Sequence, residues 1–207
     1  MKTCRVLFWM ILLPSAAGAQ TVGESRRSAE PSRLTEIERG VYVRAEAGAF
    51  LLSNPPTTPG RPSPFSAGQM VQAEIGYDFN EYLAAGLFVT FTANPAGSEY
   101  IGYSNGLASG DFSALVPGAA IKGSLIGFAD ENGVRRTWIY LRASAGYVKF
   151  YPTTLLPRND ILLLGGPGIE YFTHIRHFSI GFEVAGSYLT RAKTYGLAIT
   201  PTLRYAF

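Results

Sequence analysis

The stretch FSIGFEVA, residues 178–185, decides the fold, because apolar residues occupy every second position along it. The apolar positions are Phe178, Ile180, Phe182 and Val184, and the small or polar ones are Ser179, Gly181, Glu183 and Ala185. A period of two is the signature of a β-strand with two different faces. The same alternation recurs to give eight segments: 41–52, 67–79, 82–93, 113–127, 136–149, 161–173, 177–189 and 194–207. Each has at least the roughly ten residues that a tilted strand needs to cross a bilayer.

The connections between these segments differ in length on the two rims. Tight turns are expected at 78–82, 130–136 and 173–177, longer loops at 53–66, 94–112 and 150–160, and a further short connection at 190–194. Short turns on one rim and longer loops on the other are typical of bacterial outer-membrane barrels. The sequence therefore predicts an all-β domain over residues 40–207, an eight-stranded antiparallel up-and-down transmembrane β-barrel with both termini on the periplasmic, short-turn rim.

The distribution of charge separates a membrane barrel from a soluble one. All charged residues of the segments are expected on the small and polar face, as a lumenal network of four acids and four bases. The network comprises Arg44, Glu46, Glu74, Lys122, Arg142, Glu170, Glu183 and Arg204. A soluble, lipocalin-like barrel would carry many charges on its water-exposed outer wall. A lipid-facing wall explains their absence, since Lys or Arg at the bilayer midplane costs about 2–4 kcal/mol.

Aromatic residues on the apolar face fall into two groups, which predict two interfacial girdles. The short-turn group is Tyr77, Phe79, Tyr171, Phe178, Tyr205 and Phe207, and the long-loop group is Phe91, Tyr147, Tyr188 and Tyr195. Three prolines, Pro117, Pro167 and Pro201, fall within predicted strands and should point outward. Each removes a ladder donor, so bulges are expected beside them, the alternative being that these strands are misplaced.

The N-terminus has the layout of a secretory signal peptide over residues 1–19. Lys2 and Arg5 precede an apolar run at 6–13, and small residues around Ala19 provide a cleavage site. Its removal leaves 16 basic and 15 acidic residues and no cysteine, since Cys4 is the only one in the chain. Such a balance gives no sign of a nucleic-acid partner. Residues 20–39 are polar and are predicted to form a periplasmic linker.

No catalytic, cofactor-binding or metal-binding residue is predicted. The eight lumenal charges are expected to pair and fill a barrel this narrow, with a proton or ion path as the less favoured alternative. A lipid-active enzyme would need serine, histidine and an acid near the outer leaflet. The two histidines, His174 and His177, lie in a predicted periplasmic turn instead. Because no Cys, Asp or third His joins them, they do not indicate a metal site.

Function is therefore assigned to the loops and rims of the barrel. The loop 53–66 contains five prolines and is a candidate protein-contact element. The loop 94–112 carries a second candidate contact set, Tyr100, Ile101 and Tyr103. The alternative is that both loops are solvated and bind nothing specifically. The chain stops at "TLRYAF", where Leu203, Tyr205 and Phe207 alternate. This ending resembles the signal by which the barrel-assembly machinery recognises outer-membrane proteins.

Five blocks and the C-terminus resemble one family. The segments ERGVYVRAEAGAFLL, SAGQMVQAEIGYDF, GDFSALVPGAAIKGSLIGF, RTWIYLRASAGYVKF and RHFSIGFEVAGSYL, with the closing TPTLRYAF, are similar to the myxobacterial adventurous gliding motility protein CglE family. The resemblance implies a non-enzymatic outer-membrane component of the gliding and adhesion machinery. Its expected partners are outer-membrane lipid and other outer-membrane and periplasmic motility proteins. A small channel and a lipid-active enzyme are the alternatives.

Overall fold

A computed structural model describes residues 37–53, 65–96, 101–102, 106–107, 110–151 and 159–207. Within these ranges the chain forms ten β-strands. They are β1 (Val41–Ser53), β2 (Phe65–Asp78), β3 (Leu83–Ala96), β4 (Ile101–Gly102), β5 (Gly106–Leu107), β6 (Gly110–Ala129), β7 (Arg135–Tyr151), β8 (Asn159–Phe172), β9 (Phe178–Leu189) and β10 (Thr194–Ala206). Two-residue strands β4 and β5 pair only with each other, within the predicted loop 94–112.

The other eight strands form one closed antiparallel barrel in the order β1-β10-β9-β8-β7-β6-β3-β2. It closes where the first strand pairs with the last, with Val43 opposite Tyr205 and Ala45 opposite Leu203. The predicted eight-stranded fold is confirmed, and every predicted strand boundary falls within three residues of the observed one. Among the described residues there is no helix long and apolar enough to cross a membrane.

The outer wall is apolar, and the residues predicted to face it do so. Half-exposed to exposed aromatic side chains stand on it near both rims, among them Tyr77 and Phe79 at the short turns and Phe91, Tyr147 and Tyr195 towards the long loops. Lys149 is a correction to the predicted distribution of charge, because it lies within β7 and faces outward. It sits at the long-loop end, where a cation can reach the headgroup layer and the cost of exposure to lipid is small.

The three strand prolines point outward as predicted, but the prediction of bulges beside them is wrong. Around Pro117, two residue pairs are missing from the ladder to β7. The gap lies between the pair Leu115–Lys149 and the pair Gly118–Gly146, and the register is the same on both sides of it. The same gap of two pairs occurs at Pro167 towards β9 and at Pro201 towards β1. Each proline therefore costs one side of the ladder its hydrogen bonds and leaves the register intact. In the described barrel, β6 instead shifts register against β7 after Ser124 and after Phe128.

Inward-facing aromatic rings lie across glycines of the neighbouring strand. Tyr42 pairs with Gly76, and Tyr140 pairs with Gly168. A β-carbon placed on either glycine would collide with the tyrosine ring. These close approaches explain the glycines of the lumenal face and fix where the two phenol groups can reach.

Candidate functional site: the lumen

All eight charged residues predicted for the lumen are buried inside the barrel, and they are brought together at its short-turn end. We call this part the ionic half of the lumen. It contains a further acid, Asp78, which is 6% exposed. Asp78 lies in both the predicted strand 67–79 and the predicted turn 78–82, and it continues the inward parity of Gln72, Glu74 and Gly76 along β2. The parity was the signal that could have found it.

One cluster joins two arginines to three glutamates. Arg44 pairs with Glu46 (Nε to Oε1, 3.0 Å) and with Glu183 (Nη2 to Oε2, 2.8 Å). Arg142 approaches Glu46 at 3.5 Å and Glu183 at 3.4 Å through Nη1, and its Nη2 pairs with Glu74. Because each arginine faces more than one carboxylate, their charges are compensated as a set and not as isolated pairs.

A second cluster lies nearer the short turns. Lys122 Nζ is 2.7 Å from Glu170 Oε2, and Arg204 Nη1 is 3.3 Å from Glu170 Oε1. Arg204 also pairs through Nη2 with Asp78. Ser179 donates a hydrogen bond of 2.6 Å to Glu170, which completes the environment of that carboxylate.

Two tyrosines connect the clusters. The Tyr42 hydroxyl donates to Glu74 at 2.7 Å, while Arg204 stacks over the Tyr42 ring at 4.0 Å. The Tyr140 hydroxyl donates to Glu183 at 3.0 Å, and Lys122 lies over its ring at 5.5 Å. Each tyrosine thus contacts one cluster with its hydroxyl and the other with its ring, so the network forms one connected unit.

The long-loop end of the lumen is different in kind, and it was not predicted. Buried apolar side chains fill it, and we call it the apolar half: Phe50, Leu52, Met70, Phe88, Phe112, Ala114, Val116, Ala120, Val148, Phe150, Leu162, Ala185, Leu189, Ala192 and Ala198. Phe112 and Phe150 pack edge to face with ring centroids 6.2 Å apart. Along these strand ends apolar residues face inward as well as outward, which weakens the alternation that sequence reasoning depends on.

The residues that precede β1 contact buried side chains at the short-turn end of the lumen. The Arg39 guanidinium lies 5.9 Å from the Trp138 ring and 5.5 Å from the Phe172 ring. Burial lowers the pKa of Arg39, and the negative charge of Asp78 acts in the opposite direction. Gly40 adopts a positive φ of 133°, and its carbonyl accepts a hydrogen bond of 2.8 Å from the Asp78 N–H. Arg39 is the last residue of the predicted linker, yet its side chain packs against rings of the barrel.

Two aspartates shape turns, one on each rim. Asp130 accepts from Arg136 Nε at 2.8 Å and from the backbone N–H groups of Asn132 and Val134. The bond from Arg136 lowers the pKa of Asp130, with the backbone donors adding to the effect. On the opposite rim, the buried Asp160 accepts from four groups, one in the next residue and three in the turn between β9 and β10. They are the N–H groups of Ile161, Arg191 and Ala192, and the Thr190 hydroxyl.

The remaining predicted residues are placed as follows. Tyr100 and Tyr103 lie outside the described residues, and of Ile101 only the backbone in β4 is described. Leu203, Tyr205 and Phe207 share the outer face beside β1, where the Phe207 N–H donates to Val41 O at 2.9 Å. Their role as an assembly signal remains a prediction.

The histidines lie on the short-turn rim as predicted. His177 Nδ1 is 2.9 Å from Ala206 O and 3.4 Å from Glu38 Oε2, and its ring stacks on Tyr205. Among the described residues, no group of three or more His, Cys, Asp or Glu side chains is arranged to hold a metal ion.

The fold resembles solved outer-membrane barrels. Neisserial surface protein A matches with a TM-score of 0.55 and 17% identity over 83% of this chain and 100% of that one. The attachment invasion locus protein Ail of Yersinia pestis matches with a TM-score of 0.42 and 16% identity over 82% and 100% of the two chains. The outer membrane enzyme PagL matches with a TM-score of 0.46 and 12% identity over 80% of this chain and 99% of that one.

No family model matches the chain, and no curated protein matches it. At these identities the likeness to Neisserial surface protein A shows the fold alone, an eight-stranded antiparallel barrel of the outer-membrane type.

Proposed function

We propose that this protein is a non-enzymatic barrel of the Gram-negative outer membrane that serves as a scaffold, binding other envelope proteins through its loops and rims. The observation that carries the proposal is the lumen. An eight-stranded barrel has an interior that side chains can fill. Here an ionic half and an apolar half occupy it in series, so any solute would have to displace both.

The proposed process is gliding motility at adhesion sites, with other outer-membrane and periplasmic motility proteins as partners. Support comes from the sequence blocks that resemble the CglE family, several of which lie on β1, β2, β6, β7 and β9. The export signal expected at residues 1–19 and the apolar outer wall agree with an outer-membrane location.

Conductance tests the filled lumen. The purified mature chain, reconstituted in a planar bilayer, should show no steady channel under conditions in which a porin conducts. Apolar side chains exclude water from one half of the lumen and paired charges hold the other half closed. Steady, large conductance from the folded barrel would overturn the scaffold proposal in favour of a channel.

Crosslinking in intact cells tests the scaffold. Envelope motility proteins should be recovered with the full-length barrel, and replacing 54–64 and 97–109 by short Gly-Ser turns, which leaves the eight barrel strands intact, should abolish that recovery. Replacing 152–158 in the same way is the matched control and should leave recovery unchanged. Undiminished recovery from the first variant would show that these two loops are not the contact surface.

A further inference from the structure

The long-loop rim between β7 and β10 carries exposed cations on a wall that is otherwise apolar. Lys149 projects outward near the end of β7, and Arg191 and Lys193 are exposed in the turn between β9 and β10. Asn159 brings them together. It pairs with Lys149 across β7 and β8, and its carbonyl accepts a bond of 3.3 Å from Arg191 Nη1. Three positive charges therefore lie along one arc of the rim.

The acidic side chain described at this part of the rim already has hydrogen-bond partners. Among the side chains described at this part of the rim, the acid is Asp160, which is 2% exposed. Its Oδ1 accepts from Ile161, Thr190 and Arg191, and its Oδ2 accepts from Ala192. Asp160 thus fixes the turn that presents Arg191 and Lys193, while its own carboxylate faces inward. Among the described side chains, the outward surface of this arc carries positive charge with no acid beside it, which is complementary to an anion.

The wall below the cations is apolar and carries a shallow depression. A shallow groove of about 490 Å³ runs across β6, β7 and β8, lined on its outward side by Ala119, Ile121, Ala143, Ala145 and Leu163. Ala145 lies four residues before Lys149 on the same strand, about 13 Å at the usual strand rise. Tyr147, which is 48% exposed, stands between them at the height of the girdle. Cations, an aromatic residue and a groove thus follow one another from headgroup level into the hydrocarbon layer.

We propose that this surface binds a phosphorylated, multiply acylated glycolipid of the outer leaflet, of the lipid A type. Its phosphates would lie against Lys149, Arg191 and Lys193, and one acyl chain would lie in the groove over Ala145. The ligand must combine a multivalent anion with hydrocarbon at fixed depth, which a soluble polyanion does not. The inference rests on the proposed outer-membrane location, with the long-loop rim facing outward.

The test is native mass spectrometry of the folded mature barrel, titrated with bisphosphorylated lipid A, the same lipid A without phosphates, and phosphatidylglycerol. The double variant K149Q/R191Q is compared with R135Q/R176Q, which removes the same charge from the opposite rim. Basic residues near a membrane surface each contribute about fivefold to anionic lipid binding. We therefore expect about 25-fold weaker binding of bisphosphorylated lipid A by K149Q/R191Q and little change in the control.

Equal losses in both variants, or equal binding of lipid A with and without phosphates, would overturn the proposal. Equal binding of phosphatidylglycerol would also overturn it, in favour of general attraction to anionic lipid. The heat-modifiable migration of each variant shows that it has folded.

An epitope inserted in 97–109 and sought on intact cells reports the orientation separately. An epitope that cannot be detected on intact cells would refute the proposed orientation, whatever the lipid titration gives.

Discussion

The two halves of the lumen are held by different kinds of interaction, although the same eight strands build both. In the ionic half, charged groups meet at fixed distances, for example 2.8 Å between Arg44 and Glu183. In the apolar half, side chains such as Leu52 and Leu189 are about as deeply buried, at 1% and 2% exposure, without any polar partner. Apolar burial stabilises in proportion to the area removed from water, whereas a buried ion pair roughly offsets its own desolvation.

The difference teaches where the barrel tolerates change. A charged network penalises a missing partner severely, because the group left behind is a buried charge. An apolar cluster loses only the contacts of the atoms removed, plus the cavity they leave. We expect the ionic half to define strand register and the apolar half to contribute most of the net stability from packing inside the lumen.

Glu183→Gln should have the largest effect. Glu183 faces Arg44 and Arg142 and accepts a hydrogen bond from Tyr140, so its neutral replacement leaves two buried cations short of a carboxylate. We expect a loss of about 3–5 kcal/mol in the free energy of unfolding, measured by denaturant titration in detergent micelles. Glu131→Gln in an exposed turn is the control and should change stability by less than about 0.5 kcal/mol. Similar small changes in both would show that the ionic half is not a coupled network.

Leu52→Ala probes the apolar half. Leu52 is 1% exposed within the cluster, and truncation leaves a cavity that neighbouring strands cannot close. A loss of about 3 kcal/mol is expected in the same titration. Leu87→Ala is the matched control on the outer wall, where 66% of the residue is exposed and detergent can fill the space. An equal loss from both leucines would mean that the lumen is not tightly packed at its long-loop end.

Gly76→Ala tests the contact that positions Tyr42 in the ionic half. The added β-carbon would lie 2.7 Å from Ala85 O and closer still to the Tyr42 ring, which is held by its bond to Glu74. We expect destabilisation of about 1–3 kcal/mol, as for overpacking. Gly123→Ala has open space around the new methyl group and should be neutral or slightly stabilising. Indistinguishable variants would remove the steric reason given for Gly76.

Asp130→Asn should have the smallest effect, because the turn lies outside both halves. The folded-state pKa of Asp130 is lowered by Arg136, so its contribution to stability is present above the unfolded pKa, near 3.9. That contribution is lost as pH falls through the lower folded pKa. Stability measured from pH 7 down to pH 2 should therefore fall less steeply in the Asn variant than in the natural protein. Parallel curves would show that the turn does not contribute.

Sequence reasoning found the ionic half because charge on a β-strand is informative. Arg44, Glu74 and Glu183 each fall on the parity opposite to the apolar residues, which places them in the lumen without any tertiary information. The partners within the network could not be read in this way, since Arg44 and Glu183 are joined across the lumen and lie 139 residues apart.

The apolar half was missed for a related reason. Phe50 and Leu52 are inward and Leu51 lies between them, so apolar residues run consecutively and the face is ambiguous. Lys149 was missed for the opposite reason. Its parity places it on the lipid wall, but the rule that excludes charge there weakens near the headgroups.

The positions of the two tryptophans allow folding of the barrel to be followed by fluorescence. The chain has two, Trp9 in the expected signal peptide and Trp138 in the lumen. Trp138 is 1% exposed, donates from Nε1 to Arg135 O at 3.0 Å and packs edge to face with Tyr82. In the mature chain expected after cleavage, selectively excited tryptophan emission comes from Trp138, whose ring lies close to Gly127 of β6 and to the Arg39 guanidinium. Refolding followed by that emission is therefore expected to report when Trp138 becomes buried at the short-turn end of the lumen.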